Sequence, residues 1–83
     1  MKYLAKVEVG LKPGYSDPEG ETTKDSLRDL EYDVERVSVR KVYLVAFSAT
    51  NQEEAEMIVE QMCTRLLANP TKDDYRYEIS VET

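Results

Sequence analysis

The sequence contains no histidine and no tryptophan, and it has one cysteine, one phenylalanine and three glycines. Without histidine, a general base near neutral pH or a zinc site would have to be built from carboxylates or lysine, which removes much of the usual catalytic repertoire. The lone Cys63 excludes an internal disulfide or a Cys-x-x-Cys metal site and suits a reducing compartment. No apolar run approaches the roughly 18 residues of a membrane span, and Met1-Lys2-Tyr3-Leu4 leads into alternating residues without a signal-peptide pattern. A soluble, cytoplasmic chain is expected. Basic residues number 11 against 17 acidic ones, a balance that repels a phosphate backbone and argues against nucleic acid.

What is present is periodicity. Eighty-three residues suffice for a single domain over 1–83 with one core. Tyr3, Ala5, Val7, Val9 and Leu11 alternate as a half-buried strand. Asp17-Pro18 starts a helix expected over about 18–31, with a thin apolar stripe of Thr23, Leu27 and Leu30, so this helix should be weakly held. Thr50 to Glu53 and Asn51 to Glu54 both have capping-box spacing, and a second helix should run to about residue 68. Ala55, Ile58, Val59, Met62, Cys63, Leu66 and Leu67 form its core face. Asn69-Pro70 ends it, and Tyr75, Tyr77, Ile79 and Val81 alternate as the last strand.

Residues 34–49 are ambiguous. Val34, Val37 and Val39 suggest one strand and residues 42–47 another, yet only Arg40-Lys41 lies between, without the residues tight hairpins prefer. The alternative is one long strand of about 50 Å, shared with a second copy. The order β-α-β-β-α-β predicts an α+β, two-layer fold with two helices on one face of an antiparallel sheet. Tyr43, Val45 and Phe47 are then expected on the opposite face, as a candidate self-association patch in a homodimer or higher homo-oligomer.

Asp17-Pro18-Glu19-Gly20, the junction at 37–41, and above all Met62-Cys63-Thr64-Arg65-Leu66-Leu67-Ala68-Asn69-Pro70 with Asp74-Tyr75-Arg76-Tyr77-Glu78 resemble the PurS family. PurS is the small accessory subunit of phosphoribosylformylglycinamidine synthase, and the resemblance covers essentially the whole chain. It implies a non-catalytic bridge between the glutaminase subunit PurQ and the ATP-dependent synthetase subunit PurL, assisting ammonia transfer. ATP and Mg would bind the synthetase, with no cofactor or metal on this chain and no active site of its own. Two departures stand out: Glu19 replaces the family's usual Gln, and Ser38-Val39-Arg40-Lys41 replaces Arg-x-Gly-Lys, so only Lys41 matches there.

Asp17, Pro18, Gly20, Lys41, Asn69 and Tyr75 are the candidate partner contacts, each with a plainer reading. Asp17 to Gly20 also reads as a helix cap, Lys41 as a solvated turn lysine, and Leu67 to Pro70 as helix termination. Cys63 reads as packing, and Glu53-Glu54 and Asp73-Asp74 read as a cap and a turn rather than metal ligands. An ACT-like ligand sensor shares the element order but favours a glycine-rich first loop, where this chain has only Gly14. An acylphosphatase-like hydrolase would need an arginine in the loop Lys12-Pro13-Gly14-Tyr15-Ser16, which has none.

Overall fold

The computed structural model describes residues 1–82. Three antiparallel strands, β1 (Lys2–Leu11), β2 (Lys41–Ser48) and β3 (Asp73–Val81), form a sheet in the order β2-β1-β3. Helix α1 (Pro18–Asp29) lies between β1 and β2, and α2 (Gln52–Met62) runs into one π-helical turn, Cys63–Leu67, before β3. The α+β class holds, with one strand fewer than the periodicity suggested. Residues 32–40 have no regular secondary structure, so there is no hairpin. Val37 and Val39 keep strand alternation, with Val34 in the opposite phase, but among the described residues no neighbouring strand offers this segment a ladder.

The core lies between the sheet and α2. Tyr3, Ala5, Val7 and Val9 of β1 meet Ala55, Val59 and Cys63, all buried. Val59 is fully buried, and burying such a side chain contributes about 1.5–3 kcal/mol. Asn51 caps α2, its Oδ1 accepting from Glu54 N at 2.8 Å, while Glu54 Oε1 accepts from Thr50 N at 3.0 Å.

Helix α1 departs from the expected two-helix layer. Asp17 and Pro18 start it as expected, but Gly20 is its only buried residue, and no α1 residue joins the core clusters. The radius of gyration is 16.4 Å, against about 12 Å for a compact chain of this length. Helix α1 and residues 30–40 thus form an arm off the sheet.

Two face assignments also change. Tyr43, Val45 and Phe47 stand opposite Val7, Ala5 and Tyr3, on the helix side, half-buried against the core. The open face of β2 carries Val42, Leu44 and Ala46 instead, with Val42 50% and Leu44 67% exposed. Leu66, expected in the core, is 83% exposed. The π-turn is closed by Ala68 N donating to Cys63 O at 2.9 Å, which widens the helix by a residue and rotates Leu66 off the core face.

Candidate functional site

The register brings one end of the sheet together. Val9 faces Lys41 on one side and Tyr75 on the other, and Gly10 and Leu11 face Asp74 and Asp73. Lys12 ties the adjoining loops: its N–H donates to Lys72 O at 2.7 Å and its Nζ to Pro70 O at 3.0 Å. Lys41 and Tyr75 flank Val9 at this end, and the segments carrying Asp17, Pro18, Gly20 and Asn69 adjoin it.

Asp17 does more than cap. Its Oδ1 accepts from Gly20 N and its Oδ2 from Val39 N, both at 2.9 Å, so one carboxylate fixes both the start of α1 and the segment leading into β2. The Val39 and Gly20 amides hold its carboxyl below the usual carboxylate range, Val39 contributing most. Gly20 is required by this approach, since a Cβ there would sit 2.2 Å from Val37 O. Asn69 is a turn former: its Oδ1 accepts from Thr71 N at 2.9 Å, and its N–H donates to Asp73 Oδ2 at 2.8 Å. Asp17, Glu19, Lys41, Leu67 and Asp73 line a shallow cleft of about 240 Å³ on the helix side. On its other side the segment 36–40 borders a cleft of about 420 Å³ that includes Lys12, Arg36 and Arg40.

Tyr75 serves elsewhere. Its hydroxyl and that of Tyr77 both donate to Glu60 of α2, the Tyr77 bond at 2.8 Å, and the two rings stack at 6.5 Å. The phenols, Tyr75 first, lower the Glu60 pKa, and Glu60 in turn pushes both tyrosines up to about 12. Burial, then Glu60, raises the Cys63 thiol, so it is a packing residue and not an activated nucleophile. The sequence reading missed this carboxylate and its clasp, because only the packing of α2 on β3 brings residues 60, 75 and 77 together.

It also missed the open face beside the site. Arg40 Nε lies 2.8 Å from Glu8 Oε2 and Nη2 lies 2.7 Å from Asp74 Oδ1, while Arg76 Nε lies 3.1 Å from the same Glu8 oxygen. Arg76, and then Arg40, depress the Glu8 pKa. Among the described residues no cluster of three or more acidic or thiol side chains is placed to hold a metal ion. None of the described helices is long and apolar enough to cross a membrane.

Comparison with known proteins gives one answer. A family model described as PurS, phosphoribosylformylglycinamidine (FGAM) synthase, matches residues 4–81. The PurS subunit of phosphoribosylformylglycinamidine synthase from Archaeoglobus fulgidus is 44% identical over 73 residues, 87% of this chain and 91% of that protein. The solved structure of Thermus thermophilus PurS superposes with a TM-score of 0.88 at 37% identity over the whole of both chains. A chain of the PurLQS structure from Thermotoga maritima superposes at 0.86 and 27% identity, covering 96% of this chain and 99% of that one. An ACT-like sensor is not favoured by any of these.

Proposed function

Because the chain belongs to the PurS family, the small subunits of phosphoribosylformylglycinamidine synthase in purine biosynthesis, we propose that it is the non-catalytic bridge between a PurL-type synthetase and a PurQ-type glutaminase, assisting ammonia transfer. The observation that carries this reading is the near end-to-end likeness to a chain of the Thermotoga maritima PurLQS structure. The residue inventory agrees: with no histidine and a buried, unactivated thiol, the chain has surfaces to offer rather than an active site. The cleft that joins Asp17, Glu19 and Lys41 at the end of the sheet is the surface for one partner subunit. ATP and Mg belong to the synthetase, and the assembly works in the cytoplasm.

The chain works as a homo-oligomer in the same reading. Strand β2 is an edge strand that is apolar on both faces, with Val42 and Leu44 exposed on one and Tyr43, Val45 and Phe47 incompletely covered on the other. A second copy is the occupant that completes both layers.

The test of the bridge is formation of the amidine product by purified synthetase and glutaminase, with and without this chain, from glutamine or from free ammonium. The bridging role requires glutamine-driven synthesis to depend on the chain and ammonium-driven synthesis to proceed without it. Equal glutamine-driven rates in its absence would remove the role.

A further inference from the structure

We propose that the free edge of β3 pairs antiparallel with β3 of a second copy about a two-fold axis at Tyr77, so that one sheet runs through both chains. Among the described residues β3 has β1 as its one neighbour, and its nine residues include no proline or glycine. Lys12 N donates to Lys72 O at 2.7 Å and Glu82 N to Lys2 O at 2.8 Å, and both pairs continue the β1–β3 register. Directly opposed residues that bond in this way alternate with ones that do not. The even-numbered residues of β3 therefore turn their main chain toward β1, and Tyr75, Tyr77 and Ile79 present N–H and C=O groups along the outer edge.

The charges choose the occupant and the register. The open face of β3 presents Arg76, its side chain 79% exposed, and the exposed Glu78. With Tyr77 opposite its own copy, Arg76 stands opposite Glu78 of the second copy, twice by symmetry, and Tyr75 stands opposite Ile79 of the second copy. On β1, Glu8 opposes Arg76 and Lys6 opposes Glu78. The signs then alternate across four strands: Glu8, Arg76, and Glu78 and Lys6 of the second copy. Opposite charges facing across strands stabilise and like charges destabilise. A slip of two residues one way sets Arg76 against Arg76 and Asp74 against Glu78; the other way sets Glu78 against Glu78. The centred register is also the one in which all nine residues of β3 overlap. It uses no part of β2, so it adds a second contact between copies and stands apart from the bridging role.

The experiment combines amide hydrogen exchange and sedimentation velocity on the full chain over a concentration series. As concentration rises, the Tyr75, Tyr77 and Ile79 amides are expected to slow by about tenfold or more, while those of Arg76, Glu78 and Ser80, already directed at β1, change little. Arg76→Glu and Glu78→Arg each set like charges opposite at both symmetric positions and should weaken association by about tenfold. In an equal mixture of the two variants, one chain carries two glutamates and the other two arginines, so association should recover. Lys6→Gln, one strand in from the edge, should keep the parent's association. Edge amides indifferent to concentration would overturn the pairing. So would single variants that sediment like the parent, or a mixture that associates no more tightly than either variant alone. Edge amides that slow only on adding the synthetase or the glutaminase would give the edge to a segment of that subunit and overturn the pairing of copies. If Arg76→Glu, which faces Glu8, does not fold, Glu78→Arg and the exchange series still decide.

Discussion

Gly20 and Glu60 show how single residues carry geometry that no motif announces. In most helices Gly→Ala gains about 1 kcal/mol of helix propensity. At Gly20 the new methyl would meet the backbone oxygen of Val37 at 2.2 Å, and a backbone oxygen yields only if the segment moves. Overpacking of that kind costs about 1–3 kcal/mol. Gly20→Ala is therefore expected to lower the unfolding midpoint in denaturant and to speed exchange at the Val39 amide; a higher midpoint would show the approach is loose. Glu60 gives a pH signature. Its folded pKa lies below the ordinary carboxylate value of 4.5, so its contribution is present above that value and lost as pH falls through the folded one. The tyrosines work in the opposite sense: raised from 10 to about 12, they stabilise below pH 10 and lose that contribution as pH rises through about 12. Glu60→Gln should flatten both limbs of a plot of melting temperature against pH. Glu8 and Asp17 also have lowered pKa values and keep part of the acid limb, so the difference between variant and parent is the quantity to measure. Parallel curves would show that the clasp adds nothing.

At the scale of elements, the end of α1 offers a stabilising change. Tyr32 N donates to Leu27 O at 3.1 Å and Glu31 N to Arg28 O at 2.8 Å, the paired bonds of a Schellman motif. The residue that turns the chain after α1 is Glu31, at φ 71°, where glycine avoids a Cβ clash of about 1–2 kcal/mol. Part of that gain is offset by the greater freedom of glycine in the unfolded chain. Glu31→Gly should still raise arm stability by about 0.5–1 kcal/mol, read as slower amide exchange in α1; faster exchange would contradict it. Other elements explain which parts of the fold were legible. Asp17-Pro18 and Asn51 with Glu54 set their helix starts through neighbours in sequence, and β1 and β3 alternate cleanly, so these were readable. Strand β2 is apolar at every position from Val42 to Phe47, and an alternation with both phases apolar has no sign. Only its pairing with β1 decides that Tyr43 faces inward and Leu44 outward. The π-turn was hidden for a related reason: Leu66 and Leu67 continue a helical stripe in sequence, and one widened turn moves Leu66 into solvent.

The whole molecule adds what neither residues nor elements contain. The β-branched residues Val34, Val37 and Val39 make 34–40 read as a strand, but a strand exists only when a ladder partner does, and among the described residues of one chain none is there. The candidate site was legible as a set of residues and not as a place: Asp17, Lys41 and Asn69 are far apart in sequence, and the antiparallel register is what brings their segments to one end. The same register leaves β2 as an edge without proline, bulge or central charge, the form of edge that pairs with another chain. Burying a carboxylate at such an interface without a partner is strongly unfavourable. Leu44→Glu and Val42→Glu are therefore expected to weaken self-association at least tenfold in the dissociation constant, about 1.4 kcal/mol or more. Met57→Glu, placed on the outer side of α2 where Met57 is 57% exposed, should leave it unchanged. Sedimentation velocity across a dilution series reads all three against the parent chain. A circular dichroism spectrum matching the parent's confirms that each variant keeps its helices and sheet. If the parent sediments as a monomer throughout, β2 is not a homotypic interface, and its apolar edge is then left for the synthetase or the glutaminase. If Leu44→Glu and Met57→Glu sediment alike as oligomers, the interface lies elsewhere on the chain.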